Sequence, residues 1–232
     1  MASATGATLA HSPLEPLVQR AGGTMVARHG WLVAAHYGSP GGEMALCDQA
    51  VGLADRSDLG KLELRGEAEA VEQLVGQLTG GQVLSGEALL ADGAWWCAVS
   101  GEHVIALSDA GQTERLRAAL GEAARWTPGA TVTDFTARLA ALGLLGPGTE
   151  DLLEELSGSQ PALRNVEPPA FQSTMLAAIP VMLLRASATR AVVLADAGRA
   201  PALWTEIERT GRDAGLGHVG VDAVAHFSPL AN

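Results

Sequence analysis

The sequence predicts an α+β fold of two similar halves, about residues 11–128 and 129–232, with antiparallel sheets and outer helices. Apolar and charged residues alternate strictly over residues 61–65, which is the pattern of a half-buried strand. Residues 67–78 instead carry an apolar stripe at helical spacing. The order strand, helix, strand, strand, helix occurs roughly twice, so the two halves are expected to be similar in structure although they share no sequence identity.

The elements of the first half follow from periodicity and from the residues that interrupt it. The small and polar residues 1–10 predict a flexible N-terminus. Gly80 and Gly81 are expected to end the helix that begins near Glu67. The predicted helices span residues 14–20, 43–53, 67–78 and 113–124, and the predicted strands span residues 33–37, 61–65, 94–99 and 103–108.

The second half is interpreted in the same way. Thr149 is expected to cap a helix that Gly158 ends, and Pro201 suits the first turn of a later helix. The predicted strands span residues 131–135, 138–144, 181–186 and 190–195, residues 161–169 are a predicted loop, and residues 215–220 are a glycine-rich exit.

Trp31 is a candidate core residue of the first half. An indole buries about 150–250 Å², and a predicted strand follows Trp31 directly. We therefore expect the ring to pack into the core and to hold this strand in place. The alternative is a half-exposed ring at the rim of an interface.

Composition and charge exclude several classes of partner. The chain has 232 residues and a formal net charge of −11, and it carries no cluster of basic residues, so no nucleic-acid partner is expected. Cys47 and Cys97 form no disulfide framework, and with no signal peptide in view they predict a cytoplasmic protein. No apolar run is long enough to cross a membrane. His29 and His36 have no third ligand in view, so no metal site is predicted.

A series of short motifs in the first third of the chain identifies a family resemblance. The motifs are Ser12-Pro13-Leu14, Gly30-Trp31, Tyr37-Gly38, Glu43 and the run from Val51 to Gly66. In this order and spacing they resemble the glycine-cleavage T-protein, or aminomethyltransferase, family. The resemblance implies a folate-binding fold with a central pocket, tetrahydrofolate as cofactor and one-carbon transfer as activity. The family's C-terminal barrel domain has no counterpart in this sequence, which implies a short member.

The resemblance also implies a set of site residues. Asp92 stands at or next to the family's aspartate beside the reacting folate nitrogen, where a carboxylate can polarise an amine or accept its proton. Because Asp-Gly is a common turn dipeptide, the alternative is that Asp92 only forms a surface turn. The other implied cofactor- or substrate-binding residues are Tyr37, Leu59, Trp96 and Asp109. For Tyr37 the alternative is a buried tyrosine with a satisfied hydroxyl.

Two departures from the family pattern bear on the cofactor. Val192 stands where the family places a glutamate that accepts hydrogen bonds from the pterin, and Ser228 stands where it places an arginine. A valine side chain cannot accept hydrogen bonds, and each unpaired buried donor costs about 1–3 kcal/mol. The sequence therefore predicts weak binding of tetrahydrofolate.

Two functions remain open at this level. One is a divergent enzyme that acts on a small molecule in a repurposed folate-type pocket, with Asp92 as its catalytic residue. The other is a non-catalytic binding or scaffold subunit of a multi-subunit oxidase or demethylase complex. Without the barrel domain, the surface that this domain would cover is left for another chain to cover. The sequence therefore predicts a homodimer or a heteromeric complex.

Overall fold

The computed structural model describes residues 8–158 and 167–227, which form β-sheets flanked by helices. The helices are α1 (Glu15–Arg20), α2 (Pro40–Gln49), α3 (Ala68–Thr79), α4 (Thr113–Arg125), α5 (Thr149–Ser157), α6 (Ala200–Gly211) and α7 (Val221–Phe227). The strands are β1 (Thr24–Arg28), β2 (Trp31–His36), β3 (Gly52–Asp55), β4 (Gly60–Gly66), β5 (Ala88–Ala91), β6 (Ala94–Ser100), β7 (His103–Ser108), β8 (Ala130–Asp134), β9 (Leu139–Leu145), β10 (Ala170–Leu176), β11 (Ile179–Ser187), β12 (Arg190–Asp196) and β13 (Gly217–His218).

Two larger sheets and one hairpin organise the strands. A five-stranded antiparallel sheet has the order β5-β6-β7-β4-β8. A six-stranded sheet has the order β10-β11-β12-β9-β3-β13, in which the pairing of β13 with β3 is parallel and the other pairings are antiparallel. Strands β1 and β2 form a separate hairpin. The predicted α+β class with antiparallel sheets and outer helices is confirmed.

Each sheet buries both of its faces. Helices α3 and α4 pack on one face of the five-stranded sheet, and α1, α5 and α6 pack on one face of the six-stranded sheet. The opposite faces of the two sheets meet in an apolar layer, which we call the intersheet cluster. Its fully or largely buried members are Leu59, Ala88, Trp95, Cys97, Ile105, Leu107, Ala141, Phe171, Leu184 and Leu194.

The chain crosses between the two sheets at two short segments. Residues 56–59 lead from β3 in the six-stranded sheet to β4 in the five-stranded sheet, and residues 135–138 lead back from β8 to β9. The two sheets therefore do not coincide with the two halves of the sequence. One strand of each half lies in the sheet that the other half mainly builds, which ties the halves together.

Several predicted elements match the structure closely. Helix α3 buries its apolar stripe and ends at Gly80, which has φ +69° and takes the left-handed conformation that glycine accepts readily. Strands β4, β6 and β7 and helices α1 and α4 lie within a few residues of their predicted bounds. Pro201 lies in the first turn of α6, whose buried face includes Leu203, Trp204 and Ile207.

Other predictions are wrong in part. The helix predicted over 43–53 ends at Gln49, and Gly52–Asp55 is strand β3, because that segment pairs with β9 inside the sheet. The N-cap of α5 is Gly148, so Thr149 is the first helical residue and does not cap the helix. Strands β1, β5, β10 and β13 and helix α7 were not predicted. The predicted loop 161–169 lies largely outside the described residues.

Trp31 is only half-buried, in contrast to the predicted core position. Ala10 pairs with the hairpin at this point, donating from its N–H to Gly30 and accepting from the N–H of Leu32. None of the helices that the structure describes combines the length and apolar character that crossing a bilayer requires.

Candidate functional site

Lys61 joins the two segments that cross between the sheets. It is the chain's single lysine and is fully buried. Its Nζ donates to the carbonyls of Ser57 at 2.9 Å and Leu59 at 2.8 Å in the first crossing segment, and to that of Thr136 at 3.4 Å in the second. Burial lowers the pKa of Lys61 to about 8. The nearby carboxylates, Asp58 first among them, raise this pKa and offset part of the effect of burial.

A second buried cation, Arg56, orders the same region. Its Nε lies 3.0 Å from Asp58 Oδ1, and its Nη2 lies 2.6 Å from Asp109 Oδ1. Burial opposes the charge on the guanidinium, but the two carboxylates outweigh that effect and raise the pKa of Arg56. Asp109, one of the predicted binding residues, thus holds the loop after β7 against the first crossing segment.

A small cavity remains between the sheets, beside the intersheet cluster. It has a volume of about 60 Å³ and is lined by residues of β6, β7, β9, β11, β12 and α7. Leu59 and Val192 both line it. Among the lining residues that the structure describes, Arg56 and Arg190 are the charged ones, and the rest are apolar or glycine.

This lining does not fit a pterin. The pterin amino groups are donors and need acceptors, whereas arginine side chains only donate and valine does neither. No side chain in the described part of the lining can accept a hydrogen bond. The volume is also far below the roughly 300–1,000 Å³ that ligand pockets usually offer. Ser228, the other predicted departure from the family pattern, lies outside the described residues.

The two adjacent tryptophans of β6 face opposite sides of the sheet. Trp95 lines the cavity, whereas Trp96 is fully buried under α3 and α4, with its Nε1 donating to the Ala91 carbonyl at 3.2 Å. Successive residues of a strand alternate between faces, so only one of the pair can reach the intersheet side. The structure therefore places Trp95, and not the predicted Trp96, beside Leu59.

Asp92 lies in the tight turn between β5 and β6, on the protein surface. Its φ is +48°, and its carboxylate pairs with Arg115 of α4 at 2.9 Å. Its side chain is 52% exposed. Asp92 is not among the residues that line the intersheet cavity.

Tyr37 packs on the helix side of the six-stranded sheet. Its ring centroid lies 5.2 Å from that of His218, which in turn stacks on Trp204 at 5.5 Å. Burial raises the pKa of Tyr37, and nearby carboxylates, Asp55 first among them, raise it further. The structure thus brings Leu59 to the cavity and separates it from Tyr37, which packs against a different core cluster.

Glu43 links Tyr37-Gly38, which lies close to it in the sequence, to a distant part of the fold. The buried Glu43 carboxylate accepts from the Tyr37 N–H at 2.6 Å and from the Gly220 N–H at 2.8 Å. It therefore joins α2 to the end of β2 and to the start of α7. Sequence reasoning did not assign roles to Glu43, Arg56 or Lys61. The signal available for Lys61 was weak: it is the chain's single lysine, but it lies on the charged face of an alternating strand.

Comparisons with known proteins agree with this architecture. Residues 14–227 match the family model of the GCVT N-terminal domain. The fold is similar to the glycine cleavage system aminomethyltransferase T from Bartonella henselae, with a TM-score of 0.73 and 18% identity. That match covers 93% of this chain and 60% of the other, so the chain spans less than two thirds of that protein.

A second solved structure matches along nearly its whole chain. It is the heterotetrameric sarcosine oxidase from Corynebacterium sp. U-96 in complex with pyrrole 2-carboxylate, at a TM-score of 0.62 and 18% identity. The match covers 89% of this chain and 96% of that one. No curated protein matches the sequence. At this level of identity, the two structural matches show a shared fold.

Proposed function

The chain belongs to the family of the GCVT N-terminal domain, and from this membership we propose that it is a non-catalytic scaffold or binding subunit of a multi-subunit oxidase or demethylase complex. The observation that carries the proposal is the packing between the two sheets. Apolar side chains fill the space where the family resemblance implies a central pocket, and the remaining cavity has a volume of about 60 Å³.

The state of the implied site residues supports the proposal. Asp92 is exposed and paired with Arg115, and Asp109 is committed to the buried Arg56. Trp96 is part of the core under α3 and α4. A catalytic centre would need such groups to converge on one ligand, and these three are engaged in separate parts of the fold.

The second structural match gives further support. The Corynebacterium oxidase is heterotetrameric, and one of its chains is matched over 96% of its length. By analogy, the chain described here would act together with other protein subunits. The two cysteines are free and buried, which supports a cytoplasmic location for the complex.

The experiment is purification of the chain from its own host with a tag at the natural locus. We expect an assembly with a partner in fixed stoichiometry, and an oxidase or demethylase activity of that assembly that disappears when this chain is deleted. A strictly monomeric mass by light scattering over a wide concentration range, with no stoichiometric partner, would contradict the proposal.

A cavity-filling variant separates scaffold from enzyme within the same assembly. At Gly143 an added Cβ would meet its nearest neighbours at 3.5–3.6 Å, which is ordinary contact. Gly143→Ala should therefore fold normally and reduce the intersheet cavity. A scaffold keeps the activity of the assembly after this change, whereas an enzyme that uses the cavity loses it.

A further inference from the structure

A groove on the other side of the first crossing segment is far larger than the intersheet cavity. It has a volume of about 670 Å³, within the range of ligand pockets. We call it the hairpin groove, because the β1–β2 hairpin forms one wall. The other walls are residues 10–13, the start of α4 and the two crossing segments.

The hairpin is held over the groove by a close contact with the loop before α4. A Cβ at Gly111 would lie 3.1–3.3 Å from three ring atoms of His29, so the imidazole packs directly over this glycine. Arg28, on the same hairpin, pairs with Asp222 of α7 at 2.9 Å. These two contacts place Trp31, which follows the hairpin turn, in the wall of the groove. Its position there accounts for its half-buried state.

The charged side chains in the groove are mostly acidic. Among the lining residues that the structure describes, Asp58, Glu114 and Asp134 are acidic and Arg117 is the one arginine, and His11 and His29 also belong to this lining. Arg117 bonds to both Glu114 and Asp134, and Asp58 bonds to Arg56. The lining therefore keeps a formal charge of −2 when its histidines are neutral, since three carboxylates face one arginine.

The start of α4 does not turn the groove into an anion site. A helix N-terminus attracts negative charge, but Glu114 already occupies the first turn of α4. The chain as a whole is also acidic, with a formal net charge of −11. Both features favour a positively charged ligand.

We propose that the hairpin groove binds a small organic cation, a protonated amine carried on an apolar or aromatic body. The apolar body lies against the Trp31 indole, whose face attracts cations. The ammonium group lies among the carboxylates of Asp58, Glu114 and Asp134. The inference uses none of the residues that carry the proposed scaffold function, so either can fail without the other.

The test is calorimetric titration of the purified chain with three probes of one shape: benzylamine, benzyl alcohol and benzoate. The groove lining carries two net negative charges. At the dielectric constant of a protein surface, these charges predict that benzylamine binds about tenfold more tightly than benzyl alcohol, and that benzoate binds most weakly. Raising the salt from about 0.01 M to about 1 M shortens the Debye length from about 30 Å to about 3 Å and should erase most of this preference. Equal binding of the three probes, tighter binding of benzoate, or no binding of benzylamine would overturn the proposal.

Substitutions in the groove should change the affinity for benzylamine in opposite directions. Trp31→Leu should weaken benzylamine binding about threefold to tenfold, and Trp31→Phe should restore part of the loss, because phenylalanine keeps an aromatic face. Asp134→Asn should weaken binding, whereas Arg117→Gln should tighten it by releasing two carboxylates. Asp92→Asn is the matched control, because Asp92 is an exposed acid that pairs with an arginine outside the groove. This variant should leave benzylamine binding unchanged. Tightening by Asp134→Asn or weakening by Arg117→Gln would contradict the charge assignment.

Discussion

The guanidinium of Arg56 lies 2.6 Å from the carboxylate of Asp109, across 53 positions of sequence. Arg56 belongs to the segment that carries the chain from one sheet to the other, and Asp109 follows β7 of the five-stranded sheet. Asp58 holds the remaining side of the same guanidinium. The three residues therefore fix the point at which the two sheets meet, next to the intersheet cavity.

Asp109→Asn should destabilise the fold, because it leaves the buried Arg56 with one carboxylate partner. Hydrogen bonds to charged groups contribute about 1.5–3 kcal/mol, and Asp109 is partly exposed, so we expect a loss of about 1–3 kcal/mol. Urea denaturation measures it. A midpoint equal to that of the unchanged protein would show that Asp58 alone satisfies Arg56.

Lys61 gives the stability of the protein a distinct dependence on pH. Its pKa falls from 10.5 to about 8 on folding. Between these two values the unfolded chain binds more protons than the folded chain, so the free energy of unfolding rises with pH across this window. A shift of this size corresponds to about 3 kcal/mol of unfolding free energy. The folded protein lacks this stabilisation below pH 8 and has it in full above pH 10.5.

The comparison with Lys61→Met isolates this effect from other groups that titrate at high pH, such as Tyr37. As the pH rises from 8 towards 10.5, the unfolding free energy of the unchanged protein should increase relative to that of Lys61→Met. Because the chain has one lysine, a single labelled lysine Cε resonance can report its pKa directly by NMR. A folded-state titration near pH 10.5 would refute the assignment.

Glu43→Ala should be among the more damaging single changes. It removes the acceptor from two backbone N–H groups, those of Tyr37 and Gly220. Each unpaired buried donor costs about 1–3 kcal/mol, so the expected loss for the two donors is about 2–6 kcal/mol. Glu43→Gln keeps one acceptor oxygen and should lose less. Equal losses for the two variants in chemical denaturation would mean that the charge, and not the pair of hydrogen bonds, matters.

Asp92→Asn should change the stability by less than about 1 kcal/mol, because an exposed ion pair contributes little. Asparagine also tolerates the left-handed conformation at this position. Asp92→Val should cost more, since a β-branched residue at φ +48° is strained. Thermal melts of the two variants test this order, and the reverse order would contradict the turn geometry.

Periodicity and the family resemblance were sufficient to predict the fold class and the longer elements. Helix α3 and strands β4, β6 and β7 have clear patterns, whereas α7 has seven residues and follows a glycine-rich segment. The helix predicted over 43–53 included the first two residues of β3, because apolar residues continue there after α2. The conformation of β3 depends on pairing with two distant strands, β9, which lies about 90 positions later, and β13.

The candidate site was harder to predict, because it depends on which face of a strand meets which layer. Trp95 and Trp96 are equivalent in the sequence, and the packing of the two sheets determines that Trp95 faces the cavity. Lys61 belongs to the polar face of an alternating strand, which normally faces water. It is buried because the second crossing segment, with Thr136 at a distance of 75 positions, covers it.

Binding of tetrahydrofolate to the purified chain tests the central claim most directly. The filled space between the sheets and the absence of a side-chain acceptor in the described cavity lining predict a dissociation constant above roughly 100 μM by calorimetry, which corresponds to about −5.5 kcal/mol. Gly143→Ala is the matched control, since it reduces the cavity and should leave so weak an interaction unchanged. Low-micromolar binding that Gly143→Ala abolishes would contradict the account.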